Sequence, residues 1–143
     1  MKSLFQFTVI AILIISISCK AGKVIQGNAP IPVTPIIIDK SLTKVFDTSH
    51  KIDTAYIKGD TLTLKISCFD VCPADTFQLV GNGRFTKSKP PITALFLKRK
   101  SATGKCMGTI SKEMKFDITD TKYPSMNSVI LNLDEQYKVT YTY

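Results

Sequence analysis

Thr61-Leu62-Thr63-Leu64-Lys65-Ile66-Ser67-Cys68 alternates without a break: Leu62, Leu64, Ile66 and Cys68 fall on one side, and Thr61, Thr63, Lys65 and Ser67 on the other. A period of two is that of a strand with one face against a core. The C-terminus repeats it. Val129, Leu131 and Leu133 alternate with Ile130 and Asn132, Asp134-Glu135-Gln136 supplies a turn, and Tyr137, Val139, Tyr141 and Tyr143 alternate with Lys138, Thr140 and Thr142. That reads as a terminal hairpin. Between these stretches lie shorter extended candidates at Ile52–Ile57, Thr76–Val80, Ile92–Leu97, Met107–Ile110 and Met114–Ile118. Lys58-Gly59-Asp60, Gly81-Asn82-Gly83, Lys89-Pro90-Pro91 and Thr103-Gly104 separate them as turns. Within Ser111–Asp117 a helical turn is the alternative. Short strands at such spacing predict an all-β fold, an antiparallel β-sandwich or small barrel, over residues 39–143.

The chain has 143 residues, 44% apolar and 21% charged, with 7 Gly and 7 Pro. That fits one globular domain and excludes collagenous or broadly disordered classes. A core of this size gains from a covalent staple, which an oxidising compartment permits.

Residues 1–18 read as an export leader. Met1-Lys2-Ser3 opens with a cation, Leu4–Ile15 carries no charge, and Ser16-Ile17-Ser18-Cys19 closes the run. The run is short for a membrane span but suits a signal-peptide core. Ser18 before Cys19 resembles the lipobox of bacterial lipoproteins, with Ser16 where Leu is usual. That resemblance implies cleavage before Cys19, a diacylglycerol on its thiol and an acylated new N-terminus. Ordinary cleavage after Ser16-x-Ser18 is the alternative. Lys20 follows in place of the aspartate that commonly retains lipoproteins at the inner membrane, so the resemblance implies an outer-membrane address facing the periplasm.

Residues 19–38 are expected to hold the lipidated N-terminus and an extended tether, because Pro30, Pro32 and Pro35 fix φ and remove donors. Pairing of Pro35-Ile36-Ile37-Ile38 as an edge strand is the alternative.

The mature part resembles small uncharacterised bacterial lipoprotein domains. The likeness rests on Leu62–Phe77 with Cys72-Pro73-Ala74-Asp75-Thr76-Phe77, Pro90-Pro91, Leu95-Phe96-Leu97, Cys106, Lys115-Phe116-Asp117 and Thr140–Tyr143. Asp75 stands where that pattern commonly has a histidine, and the resemblance implies no activity.

With Cys19 acylated, three cysteines remain. Cys68 lies on the apolar face of its strand and Cys72 in the turn beyond it, so the expected disulfide joins Cys72 to Cys106; Cys68 to Cys106 is the competitor. Three cysteines and His50 also form a conceivable metal set, but Cys68-x3-Cys72 lacks the spacing of a structural zinc knuckle, and no metal or cofactor is expected. His50, the one histidine, reads as a solvated turn residue. Asp70 and Asp75 read as turn-stabilising carboxylates. No catalytic residue stands out, because no nucleophile elbow is present.

Removing Lys2 with the leader leaves 18 basic and 11 acidic residues, a net +7. Lys98, Arg99, Lys100 and Lys105 form a candidate basic surface for anionic lipid or acidic glycans. Nucleic acid is not expected, because no aromatics interleave with the basic runs. The expected role is a membrane-anchored binding or structural module, with the bilayer as its first partner through Cys19. A small periplasmic hydrolase and a lysozyme-inhibitor-like protein are the alternatives.

Overall fold

The computed structural model describes residues 30–43, 49–72, 74–101 and 108–143. Among the described residues nine strands form two sheets: β1 (Val33–Pro35), β2 (Ile37–Ile38), β3 (His50–Lys58), β4 (Thr61–Phe69), β5 (Thr76–Phe85), β6 (Ile92–Lys100), β7 (Thr109–Asp117), β8 (Ser128–Leu133) and β9 (Tyr137–Thr142). The first sheet has the order β1-β7-β4-β3 and the second β2-β5-β6-β8-β9. The fold is an all-β sandwich that does not close into a barrel.

The inward rows follow from the alternation. Leu62, Leu64 and Ile66 of β4, with Met114 and Phe116 of β7, meet Leu79 of β5, Leu95 and Leu97 of β6, Val129, Leu131 and Leu133 of β8, and Tyr141 of β9. At about 25 cal/mol per Å² of apolar surface, this layer is the main favourable term in folding.

The pairing departs from the antiparallel expectation. The sheets are mixed: β1 runs parallel to β7, β2 to β5 and β6 to β8. The β6–β8 pair is parallel because the chain leaves the second sheet, runs through the first as β7 and returns, which is the crossover a parallel pair requires. Met107–Ile110 and Met114–Ile118 are not two strands around a helical turn. Thr109–Asp117 is one strand paired with β4 along its length, and Lys112 takes an inward position between Ile110 and Met114.

Gly81-Asn82-Gly83 is not a hairpin turn but part of β5, where the register with β6 shifts. A side chain at Gly81 would stand 2.7 Å from Leu95 Cδ2 of β6, and one at Gly83 2.9 Å from Ile38 Cγ2, so Gly81 makes room for Leu95 and Gly83 lets β2 lie close to β5. The hairpin turn comes later, where the Thr86 N–H donates to the Ile92 carbonyl at 2.9 Å.

The segment read as tether ends inside the fold. Val33–Pro35 joins one sheet, Ile37–Ile38 joins the other, and Ile36 plugs the gap between them at 5% exposure. Residues 33–38 therefore belong to the sandwich, as the edge-strand alternative has it. Beyond them, the Asp39 carboxylate accepts from the Ser41 N–H at 3.0 Å and from its hydroxyl at 2.5 Å. This turn sets Leu42 over Val80 and Phe96 on the outer face of the second sheet. The hydroxyl first, and the N–H second, hold the Asp39 carboxyl below its ordinary range.

Candidate functional site

The two sides of the sandwich close differently. On one side the Asp134 carboxylate, in the β8–β9 turn, pairs with His50 Nε2 at 2.8 Å and accepts from the Leu97 N–H at 3.0 Å. Gln136 Oε1 accepts from the Ile52 N–H at 3.3 Å. Asp134 and Glu135 take φ of 48° and 59°, the left-handed pair a two-residue hairpin turn uses. On the other side the strap β1–β2 joins the sheets, pairing with Lys115–Asp117 of β7 and Val80–Gly81 of β5.

Next to the strap lies a groove of about 410 Å³. Phe77, Met114 and Phe116 give it an apolar floor, Ile31 and Pro32 form its strap-side wall, and Lys112 and Lys115 supply cations. The remaining lining is Thr34, Thr76, Gln78 and Glu113. Glu113 is the one carboxylate among the described residues of this lining. Lys112 Nζ lies 5.5 Å from the centre of the Phe77 ring and donates to the Asp75 carbonyl.

Behind the groove the structure gathers polar groups that the sequence reading dispersed. His50 is not a solvated turn histidine: it opens β3 at 3% exposure, faces Cys68 across the β3–β4 pair and sets its ring edge-on to Phe77 at 6.2 Å. Its Nδ1 is buried with no hydrogen-bond partner among the described residues. Asp75 is fully buried. Its carboxylate accepts from the Cys72 N–H at 3.0 Å and from Arg99 Nε at 2.8 Å, with Arg99 Nη2 at 2.7 Å. Arg99 Nη2 also donates to the Asp70 carbonyl at 2.9 Å.

That engagement divides the expected basic surface. Alternation along β6 leaves Lys98 and Lys100 exposed on the outer face and turns Arg99 inward to Asp75; Lys105 lies outside the described residues. Cys19 and Cys106 also lie outside them. Cys68 is a fully buried thiol, and Cys72 is buried in the loop after β4. Among the described residues no group of three or more His, Cys, Asp or Glu side chains is placed to hold a metal ion. The sequence signal for His50 and Lys112 was parity: each stands two residues from an inward apolar position, Ile52 and Met114.

The far end of the sandwich is a staple. The buried Tyr141 hydroxyl donates to the Asp60 carboxylate, and Lys122 Nζ reaches that carboxylate at 3.0 Å. Burial first, and the Asp60 hydrogen bond second, push the Tyr141 phenol well above its usual range. Tyr141 first and Lys122 second hold Asp60 below the usual carboxylate range.

No family model matches the chain, and no curated protein matches it. Three solved structures show a distant likeness. A DUF1344 protein of unknown function from Bacteroides vulgatus is 17% identical, with a TM-score of 0.49 over 79% of this chain and 56% of that one. A protein from Parabacteroides distasonis provisionally described as toxin-related is 13% identical, with a TM-score of 0.49 over 77% and 61%. One from Bacteroides fragilis, provisionally described as a lipoprotein, is 14% identical, with a TM-score of 0.42 over 78% and 68%. This chain thus spans 56% and 61% of the length of the first two.

Proposed function

We propose that this chain is an exported lipoprotein, anchored through Cys19 at the outer membrane facing the periplasm, whose sandwich acts as a binding module. The observation that carries this reading is the apolar leader ending in Ser16-Ile17-Ser18-Cys19. Cys19 stands thirteen residues before Pro32, a wall of the groove. At ~3.1 Å per residue in extended polyproline conformation, that length allows about 40 Å between lipid and groove. A groove with an apolar floor, cations and one carboxylate favours binding over hydrolysis.

The Cys72–Cys106 disulfide belongs to this proposal. The Asp70 N–H donates to the Gly108 carbonyl at 3.0 Å, which holds the Cys72 loop beside a position two residues after Cys106. The core position of Cys68 supports leaving that thiol reduced. Lys98 and Lys100 add weak attraction to an anionic surface, each worth about 1 kcal/mol at best.

Metabolic labelling with a fatty-acid analogue tests the anchor. The native chain should take up label and Cys19→Ala none; undiminished labelling of Cys19→Ala would overturn the reading.

A further inference from the structure

We infer that the free edge of β7 beside the groove binds an extended, acidic segment of a partner protein by strand addition. This names the partner class of the binding module proposed above. Three observations carry it.

The first is backbone direction. The Ile36 N–H donates to the Asp117 carbonyl at 3.3 Å, so the odd-numbered residues of β7 aim their backbone groups toward the strap and the even-numbered ones toward β4. The strap reaches only Lys115–Asp117. Among the described residues, the N–H and C=O groups of Thr109, Ser111 and Glu113 therefore have no ladder partner. The Asp39 N–H donates to the Gly81 carbonyl at 2.8 Å, so the same parity on β5 aims Phe77 and Leu79 toward the open side. Strand addition needs such an edge with side-chain pockets beside it.

The second is what stops the strap. In the parallel register Val33↔Lys115 and Thr34↔Phe116, the even-numbered strap residues send their N–H toward β7. Continued backward, this parity falls on Pro32 and Pro30, which have no N–H to donate. The chain's own approach therefore offers β7 no strap N–H donor at Pro32 or Pro30.

The third is charge. Lys112 is a cation at an inward position, held over Phe77 and against a carbonyl rather than a carboxylate. A strand laid along β7 places one inward side chain beside Lys112, with apolar ones beside Ile110 and Met114. Acidic at the centre and apolar on either side is the complementary pattern. Lys20–Ala29 of this chain carries two lysines and no acid, and a second copy brings a domain of the same net positive charge.

The test uses the mature protein in mild detergent and a fluorescent Thr-Val-Thr-Glu-Thr-Val-Thr probe. Saturable binding is expected, with the amides of Thr109, Ser111 and Glu113 newly protected from hydrogen exchange. Placing Lys at the probe's Glu should weaken binding at least about tenfold. Ser111→Pro removes one outward N–H without touching the β4 ladder and should also weaken it about tenfold. Lys112→Met keeps a side chain over Phe77 and should erase the preference for Glu over Lys in the probe. Of two probes N-methylated on alternate residues, one should bind and the other not, because only one edge of the added strand pairs. Equal binding by both, or no binding of the acidic probe, would overturn strand addition. Neither outcome depends on the lipid, so failure here leaves the Cys19 labelling result standing.

Discussion

Asp134 carries two loads in one turn, and replacing it shows how much the closed side of the sandwich depends on a single carboxylate. Asp134→Ala removes the acceptor for the Leu97 N–H and the partner of His50 Nε2, and places alanine at φ 48°. A buried donor left unsatisfied costs about 1–3 kcal/mol, and a left-handed alanine about 1 kcal/mol. Because Asp134 sits at the rim, where water reaches part of the gap, the expected sum is about 3–5 kcal/mol. That is a large share of the ~5–15 kcal/mol that stabilises a domain of this size. Asp134→Asn keeps an acceptor for Leu97 and tolerates the left-handed backbone, so it should cost only about 1 kcal/mol.

Urea unfolding of the chain from Lys20 onward gives the numbers. The sequence has no Trp, so circular dichroism or tyrosine fluorescence must follow the transition. His50→Phe supplies the second arm of a double-mutant cycle. Phenylalanine fits beside Phe77 and has no N–H to strand, so Asp134→Ala should cost about 1–3 kcal/mol less in that background. A loss under about 1 kcal/mol for Asp134→Ala, or strict additivity with His50→Phe, would refute the idea that His50 depends on Asp134.

Further outcomes follow from the other contacts. Non-reducing peptide mapping of the exported protein should find Cys72 linked to Cys106, and Cys72→Ser should cost about 3.8 kcal/mol for a loop of about 35 residues; a bridge containing Cys68 as the main species would show the assignment to be wrong. Tyr141 keeps its proton in the fold after unfolded tyrosines lose theirs, so the stability it contributes is complete below about pH 10 and declines as pH rises beyond that. Tyr141→Phe should flatten this alkaline decline, which thermal melts at pH 8–11 would reveal. Asp60 behaves in the opposite sense: its depressed value means stability present above about pH 4 and lost as the solution is acidified further. Anionic vesicles should bind the delipidated domain weakly, with loss on raising salt and on Lys98→Glu with Lys100→Glu; salt-independent binding would remove the electrostatic role.

The strands that alternate without exception were legible in advance. Thr61–Cys68 and the Val129–Tyr143 hairpin carry apolar residues at every inward position, and they occupy the centre and one flank of the sandwich. Where polar residues stand inward, the pattern misleads. Lys112 between Ile110 and Met114 makes one strand look like two around a helical turn, and His50 before Ile52 reads as the end of a loop. Gly81 and Gly83 have the composition of a turn, but their use is to admit Leu95 and Ile38 respectively, which is contact information no local window contains. Asp75 and Arg99 lie 24 residues apart and meet only because β5 and β6 pair, so neither could be assigned a partner in the sequence. The groove is least legible of all, since it arises where two strand edges outrun a short strap.

Intact-mass measurement of the protein extracted from membranes tests the anchor most directly. A chain beginning at Cys19, with the added mass of a diacylglyceryl group and one amide-linked acyl chain, is the expected species. A chain that begins at Met1, or one that begins at any later residue without added lipid, would contradict a lipid-anchored sandwich.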